Sequence, residues 1–156
     1  MLGNNGNDYL EISKQIKDET KLRCFDTESG LYADSPSMMH FAQHPQIWAV
    51  LCGLESGERA KNLLKKSMNH TSKAASAYMF FLFRALEKAG IYEWSEESLN
   101  LLRSLVSFGC TSTPECVGED VRCEYHAWST VEIYEFAAKI LGLTYKNNAV
   151  YVDHTL

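Results

Sequence analysis

Apolar residues recur along this chain at helical spacing, and the runs are broken at glycines, prolines and acidic clusters. Residues 8–23 (DYLEISKQIKDETKLR) place Tyr9, Ile12 and Ile16 on one side, which predicts an amphipathic helix with one dry face. FDTESGLYAD breaks the period, with a turn at Gly30 and a brief extension at Leu31-Tyr32. SPSMMHFAQHP is a second irregular connection, after which Pro45 sits in the first turn of a short helix, QIWAVLCGL, that stops near Gly53. Ser56 opens the next helix, whose Ala60, Leu63, Leu64, Ser67 and Met68 form one buried face opposite a lysine-rich one.

Residues 74–90 (AASAYMFFLFRALEKAG) are apolar nearly all round until Arg84, so this helix must be covered on most sides. Ser95, Glu96 and Glu97 suit a helix N-terminus, and the helix through ESLNLLRSLVSF ends at Gly109. Ser129 and Glu132 have capping-box spacing ahead of Ile133, Phe136, Ala137, Ile140 and Leu141, with Gly142 as the C-terminal stop. The tail YKNNAVYVDHTL reads as a turn and one short strand without a partner. Helices with a polar face (near 8–23, 56–69 and 95–108) therefore alternate with strongly apolar ones (near 45–53, 74–90 and 130–141). Connections on one side are short (GLES, GIYEW) and on the other long (24–44, 109–128). This alternation predicts an all-α fold of helical hairpins layered as in an α/α toroid, amounting to about half a ring.

Composition narrows the classes of function. A chain of 156 residues with 46% hydrophobic and 22% charged residues suits one globular domain. A net charge of −5 without a long basic block argues against a nucleic-acid partner, and KNLLKK reads as one solvated helix face. No apolar run reaches the roughly 18 residues of a membrane span. The start, MLGNNGNDYLEI, lacks the basic and apolar regions of a secretory signal, so the default expectation is cytoplasmic. That setting and the odd count of five cysteines favour reduced thiols, with Cys24 and Cys52 as small buried hydrophobes. It also leaves Asn69-His70-Thr71 little meaning as a glycosylation triplet.

The stretch 109-GCTSTPECVGEDVRCEYHAWS-129 gathers Cys110, Cys116 and Cys123 with several carboxylates and a His-Ala-Trp-Ser tetrapeptide. A loop of this length in a small domain is usually functional or disordered, and its cysteines and aromatics argue against disorder. Three readings compete: a metal knot, a disulfide-tied flap, or a loop carrying catalytic groups. Cys110, Cys116, Cys123 and His126 are suitable zinc ligand types, but their spacing lacks a close Cys-x2-Cys knuckle. A Cys116–Cys123 disulfide requires an oxidising compartment.

Four stretches in order resemble the bacterial α-L-rhamnosidases of glycoside hydrolase family 78: GLYADSPSMMHFAQHPQIWAVLCGL (30–54), SAYMFFLFRALEKAG (76–90), GCTSTPE (109–115) and HAWSTVEIYEFAAKILGL (126–143). The resemblance covers roughly residues 20–143 and corresponds to the C-terminal half of an (α/α)6-barrel catalytic domain. It implies that 1–143 are part of such a barrel and that 144–156 are the stub of a following β-sandwich. It implies no cofactor and a reaction needing two carboxyl groups, one protonating the leaving oxygen and one activating water from the opposite face.

Glu115 matches the general base of that family. His126 and Trp128 match residues beside it, either as sugar contacts or as a structural histidine at a helix entry and a packing residue, respectively. His44 and Asp34 match positions near the barrel mouth, as sugar contacts or structural residues. The family's acidic, Arg- and Trp-containing acid motif is not found in this chain, and Pro114 stands where an aromatic often precedes the glutamate. The expectation is thus a glycosidase piece carrying the base without the acid, inactive alone. The alternative is a non-catalytic helical module that binds carbohydrate or protein. Half a toroid exposes inner-face residues such as Trp48, Tyr78 and Phe81, which predicts self-association or a complementing half-barrel.

Overall fold

The computed structural model describes residues 6–116, 123 and 125–153, the side chains of 97, 98, 101, 102 and 132 excepted. Glu119, Asp120 and Glu124 of the long loop lie outside the described residues, as does the side chain of Glu132. The chain is mostly helical, as the apolar spacing predicts. It divides into two compact units, Met1–Lys73 with Ala85–Ile91, and Ala74–Arg84 with Tyr92–Leu156.

In the first unit, helix α1 (Gly6–Cys24) leads into a minimal hairpin of β1 (Phe25–Asp26) and β2 (Leu31–Tyr32), paired Phe25 with Tyr32 and Asp26 with Leu31. The turn closes because the Asp26 carboxylate accepts the Ser29 N–H at 2.8 Å and Gly30 adopts φ +68°. Helices α2 (Gln43–Leu51) and α3 (Gly57–His70) pack together and against β2. The buried residues of α3 are Ala60, Leu63, Leu64, Ser67 and Met68, the face its periodicity selects. Opposite them α2 buries Ile47, Ala49 and Val50, and each large side chain fully withdrawn from water contributes about 1.5–3 kcal/mol.

The dry face expected of α1 is not dry. The helix has no buried residue, and Tyr9, Ile12 and Ile16 are 58%, 50% and 61% exposed. They line a groove of about 600 Å³ whose other wall includes Trp48 and Pro45. The periodicity suffices to form the helix, but none of the described residues of this unit fills the space in front of it.

Helix α4 (Met79–Ala89) is preceded by a 3-10 turn over Ser76–Tyr78 and shared between the units. Within the second unit it buries Met79, Leu82 and Phe83, whereas Tyr78 and Phe81 are half-buried against each other, ring centroids 4.9 Å apart. Helix α5 (Ser95–Ser107) follows a 3-10 turn and buries Leu99 and Leu105. Ser95 is its first residue and Trp94 its N-cap, without a side-chain capping bond.

Two expectations for the last third need correction. Ser129 does not cap a helix; it is buried inside a 3-10 turn over Ala127–Thr130, and α6 (Val131–Tyr134) widens at once into a π segment, Glu135–Ile140. The i→i+5 closure changes the phase of the side chains. Phe136, Ile140 and Leu141 are exposed, as is Ile133 ahead of the π segment, and Glu135 is the segment's buried residue. Nor is the terminal strand alone: β3 (Leu143–Lys146) pairs antiparallel with β4 (Ala149–Val152). Asn147 and Asn148 supply the two positive φ angles, 52° and 60°, of a tight hairpin turn, so the partner strand is the sequence just upstream.

Candidate functional site

The Glu115 loop is held by its backbone. Helix α5 ends where Gly109 turns left-handed (φ +73°) and the Cys110 N–H returns to the Leu105 carbonyl at 3.0 Å. Beyond Ser112 the chain meets its own return path. The His126 N–H donates to the Thr113 carbonyl at 2.9 Å, and the Glu115 N–H to the Cys123 carbonyl at 2.9 Å. The Glu115 carbonyl accepts the Ala77 N–H at 3.4 Å, which ties the loop to the turn that starts α4. Pro114, buried between the two rungs, stiffens the approach.

Thr113 and Glu115 on one side and Cys123 and His126 on the other therefore form a clasp that fixes the backbone under a half-buried Glu115 side chain. His126 and Trp128 leave the same clasp, with ring centroids 6.2 Å apart and planes at 80°. Trp128 is 76% exposed, so its ring is open to a ligand rather than packed in a core. All five cysteines are free thiols, and among the described residues no group of three His, Cys, Asp or Glu side chains is arranged to hold a metal.

The same unit holds a buried cluster that the apolar periodicity does not announce. Glu135 is fully buried; it accepts two bonds from Arg84 Nη2 at 2.7 and 2.5 Å and one from the Tyr92 hydroxyl at 2.5 Å. Burial first, and the neighbouring Glu135 carboxylate second, push the Tyr92 phenol well above its ordinary range. The signal was Arg84 itself, a charge interrupting an apolar helix, because a guanidinium drawn into a core requires a carboxylate.

Asp34 and His44 belong to the first unit, Glu115, His126 and Trp128 to the second. Both oxygens of Asp34 are engaged: Oδ2 with His40 Nδ1 at 2.6 Å and Oδ1 with the Ala42 N–H at 2.9 Å. Burial opposes ionisation of Asp34, but the bonds from His40 and Ala42, with attraction from His40 and His44, outweigh it and hold the carboxyl below its usual range. His44 lies half-buried in the first turn of α2.

Gln46, fully buried two residues further along α2, works as a surrogate strand. Its Oε1 accepts the Tyr32 N–H at 2.8 Å, and its Nε2 donates to the carbonyls of Tyr32 and Ala42 at 2.7 and 3.0 Å. Behind it, buried Glu55 accepts from the Tyr32 hydroxyl and from Lys21 Nζ, both at 2.7 Å.

The fold has a solved counterpart. A crystal structure of the family 78 rhamnosidase of Bacillus sp. GL1 is similar to this chain with a TM-score of 0.69 and 23% sequence identity. The chain has a glycoside hydrolase-like fold. The likeness covers 84% of this chain and 16% of that one, so the chain spans about a sixth of the rhamnosidase's length. No family model matches the sequence, and no curated protein matches it.

Proposed function

We propose that the chain carries the base side of an inverting, rhamnosidase-type glycoside hydrolase site in part of an α/α toroid. The observation that supports this reading is the backbone clasp that ties half-buried Glu115 into the same loop as His126 and the open Trp128 ring. The glycoside hydrolase-like fold supports it. In the proposed reaction the Glu115 carboxylate takes a proton from water attacking the anomeric carbon. An acid about 6.5–9.5 Å away protonates the departing oxygen. Trp128 offers an apolar face to the sugar and His126 a hydrogen bond. The acid motif is not found in these 156 residues, so it has to be supplied from outside them, and they are inactive alone.

The test is hydrolysis of an aryl α-L-rhamnoside by this chain mixed with an upstream half-barrel carrying an acid motif. Activity that requires both parts and falls at least about 100-fold in Glu115→Gln supports the reading. Full activity in Glu115→Gln sinks the assignment of the base. The groove in front of α1 favours a second reading, a binding module without catalysis. Rhamnoside binding by the chain, with no turnover in any mixture, would select it.

A further inference from the structure

The connection between β2 and α2 meets the end of α3 in an arrangement unrelated to the Glu115 loop. His40 Nδ1 lies 2.6 Å from Asp34 Oδ2, and His40 Nε2 lies 3.0 Å from Ser72 Oγ. With the Nδ1 proton on the carboxylate side, Nε2 is left as an acceptor for the serine hydroxyl. This is the hydrogen-bond order of nucleophile, base and orienting carboxylate.

The backbone fixes all three members. The Asp34 N–H donates to the His40 carbonyl at 3.0 Å, and Asp34 Oδ1 is held by the Ala42 N–H. Ser72 is pinned on both sides, its N–H on the Phe41 carbonyl at 3.2 Å and its carbonyl on the Gln43 N–H at 2.9 Å. Asp34, His40 and Ser72 are all exposed, so a substrate can reach the hydroxyl.

We propose that Ser72, His40 and Asp34 form an acyl-transfer site that takes small, activated esters. Ser72 Oγ attacks the ester carbonyl carbon while His40 Nε2 takes the hydroxyl proton. The carbon–oxygen bond to the leaving group breaks, and that group departs with the proton from His40. Water, deprotonated by His40, then attacks the acyl-serine; the acid is released and the proton returns to Ser72. Asp34 holds the ring in the required tautomer and balances the imidazolium formed in each half. An aryl ester is the fitting class, since its phenolate leaves without strong assistance.

The full chain is treated with a fluorophosphonate, which puts phosphorus on a nucleophilic serine as fluoride leaves, and is assayed separately with p-nitrophenyl acetate. Expected are a label localised to Ser72, a burst of nitrophenolate, loss of both in Ser72→Ala, and a drop of about 100-fold in His40→Gln. The label on the unaltered chain needs no variant to fold. Its absence from Ser72, or hydrolysis unchanged in Ser72→Ala, overturns the proposal. Neither readout involves a glycoside, so the result is independent of the Glu115 reading.

Discussion

Arg84 and Glu135 meet across 51 positions of sequence, and both carboxylate oxygens of a fully buried glutamate accept from one guanidinium nitrogen. The pair joins α4 to the π segment of the second unit. Removing one partner leaves the other charge buried and unpaired, at about 3–5 kcal/mol. Arg84→Ala should lower the unfolding free energy by that amount in urea titration, and Arg84→Met with Glu135→Leu should recover most of it. An Arg84→Ala variant as stable as the parent would contradict the buried pair.

Gln46 carries a comparable role in the first unit. Gln46→Leu keeps the volume but strands the Tyr32 N–H and carbonyl, each costing about 1–3 kcal/mol when buried without a partner. The expected loss is about 3 kcal/mol in denaturant titration, with faster amide exchange at Tyr32. Unchanged exchange at Tyr32 would rule out the side chain as its partner.

Acid should weaken the first unit through Glu55 and Asp34. Burial raises the Glu55 pKa, but hydrogen bonds from Lys21 and Tyr32 outweigh it and leave the folded value lowered. A depressed carboxylate stabilises above its unfolded pKa, about 4.5, and the contribution is lost as pH falls through the folded value. Stability measured between pH 6 and 3 should therefore decline, and Glu55→Gln should flatten part of the slope. An identical slope in the variant would exclude Glu55 as a contributor.

At high pH the sign reverses. Burial and the facing carboxylates of Glu55 and Glu135 raise the pKa values of Tyr32 and Tyr92. The folded state then holds phenolic protons that the unfolded chain releases near pH 10, so stability falls as pH rises above about 10. Absorbance titration should show late-ionising tyrosines, with one fewer in Tyr92→Phe. Loss of none on that substitution would argue against the Tyr92 environment.

Gly142 is a sharp test of the terminal hairpin. Its φ is +64°, and an added Cβ would lie 1.7 Å from the Asp153 carbonyl oxygen, whose own N–H donates to the Gly142 carbonyl. Gly142→Ala should release the end of β4, seen as lost amide protection at Asp153 and Tyr151. Full protection there would refute the close approach.

The helices were legible in the sequence because helix formation depends on local periodicity and stop residues. Gly30, Gly53, Gly109 and Gly142 all take positive φ where the runs were read as ending, and α3 buries the five residues its spacing selected. The loop around Glu115 was legible by composition. Its clasp was not, because the rungs joining Thr113 to His126 and Glu115 to Cys123 are backbone bonds that no residue type announces. Asp34 stood out in the sequence, but Ser72 and His40 did not, since only the chain's return brings position 72 beside position 40.

By itself, then, the sequence determined where most helices stop and that Glu115 lies in a loop. Tertiary structure decided which polar groups are withdrawn from water: Glu135 rather than the neighbouring apolar stripe, and Gln46 as a partner for Tyr32. The physical reason is that periodicity specifies a face, whereas burial of a charge or amide depends on a distant partner arriving within about 3 Å.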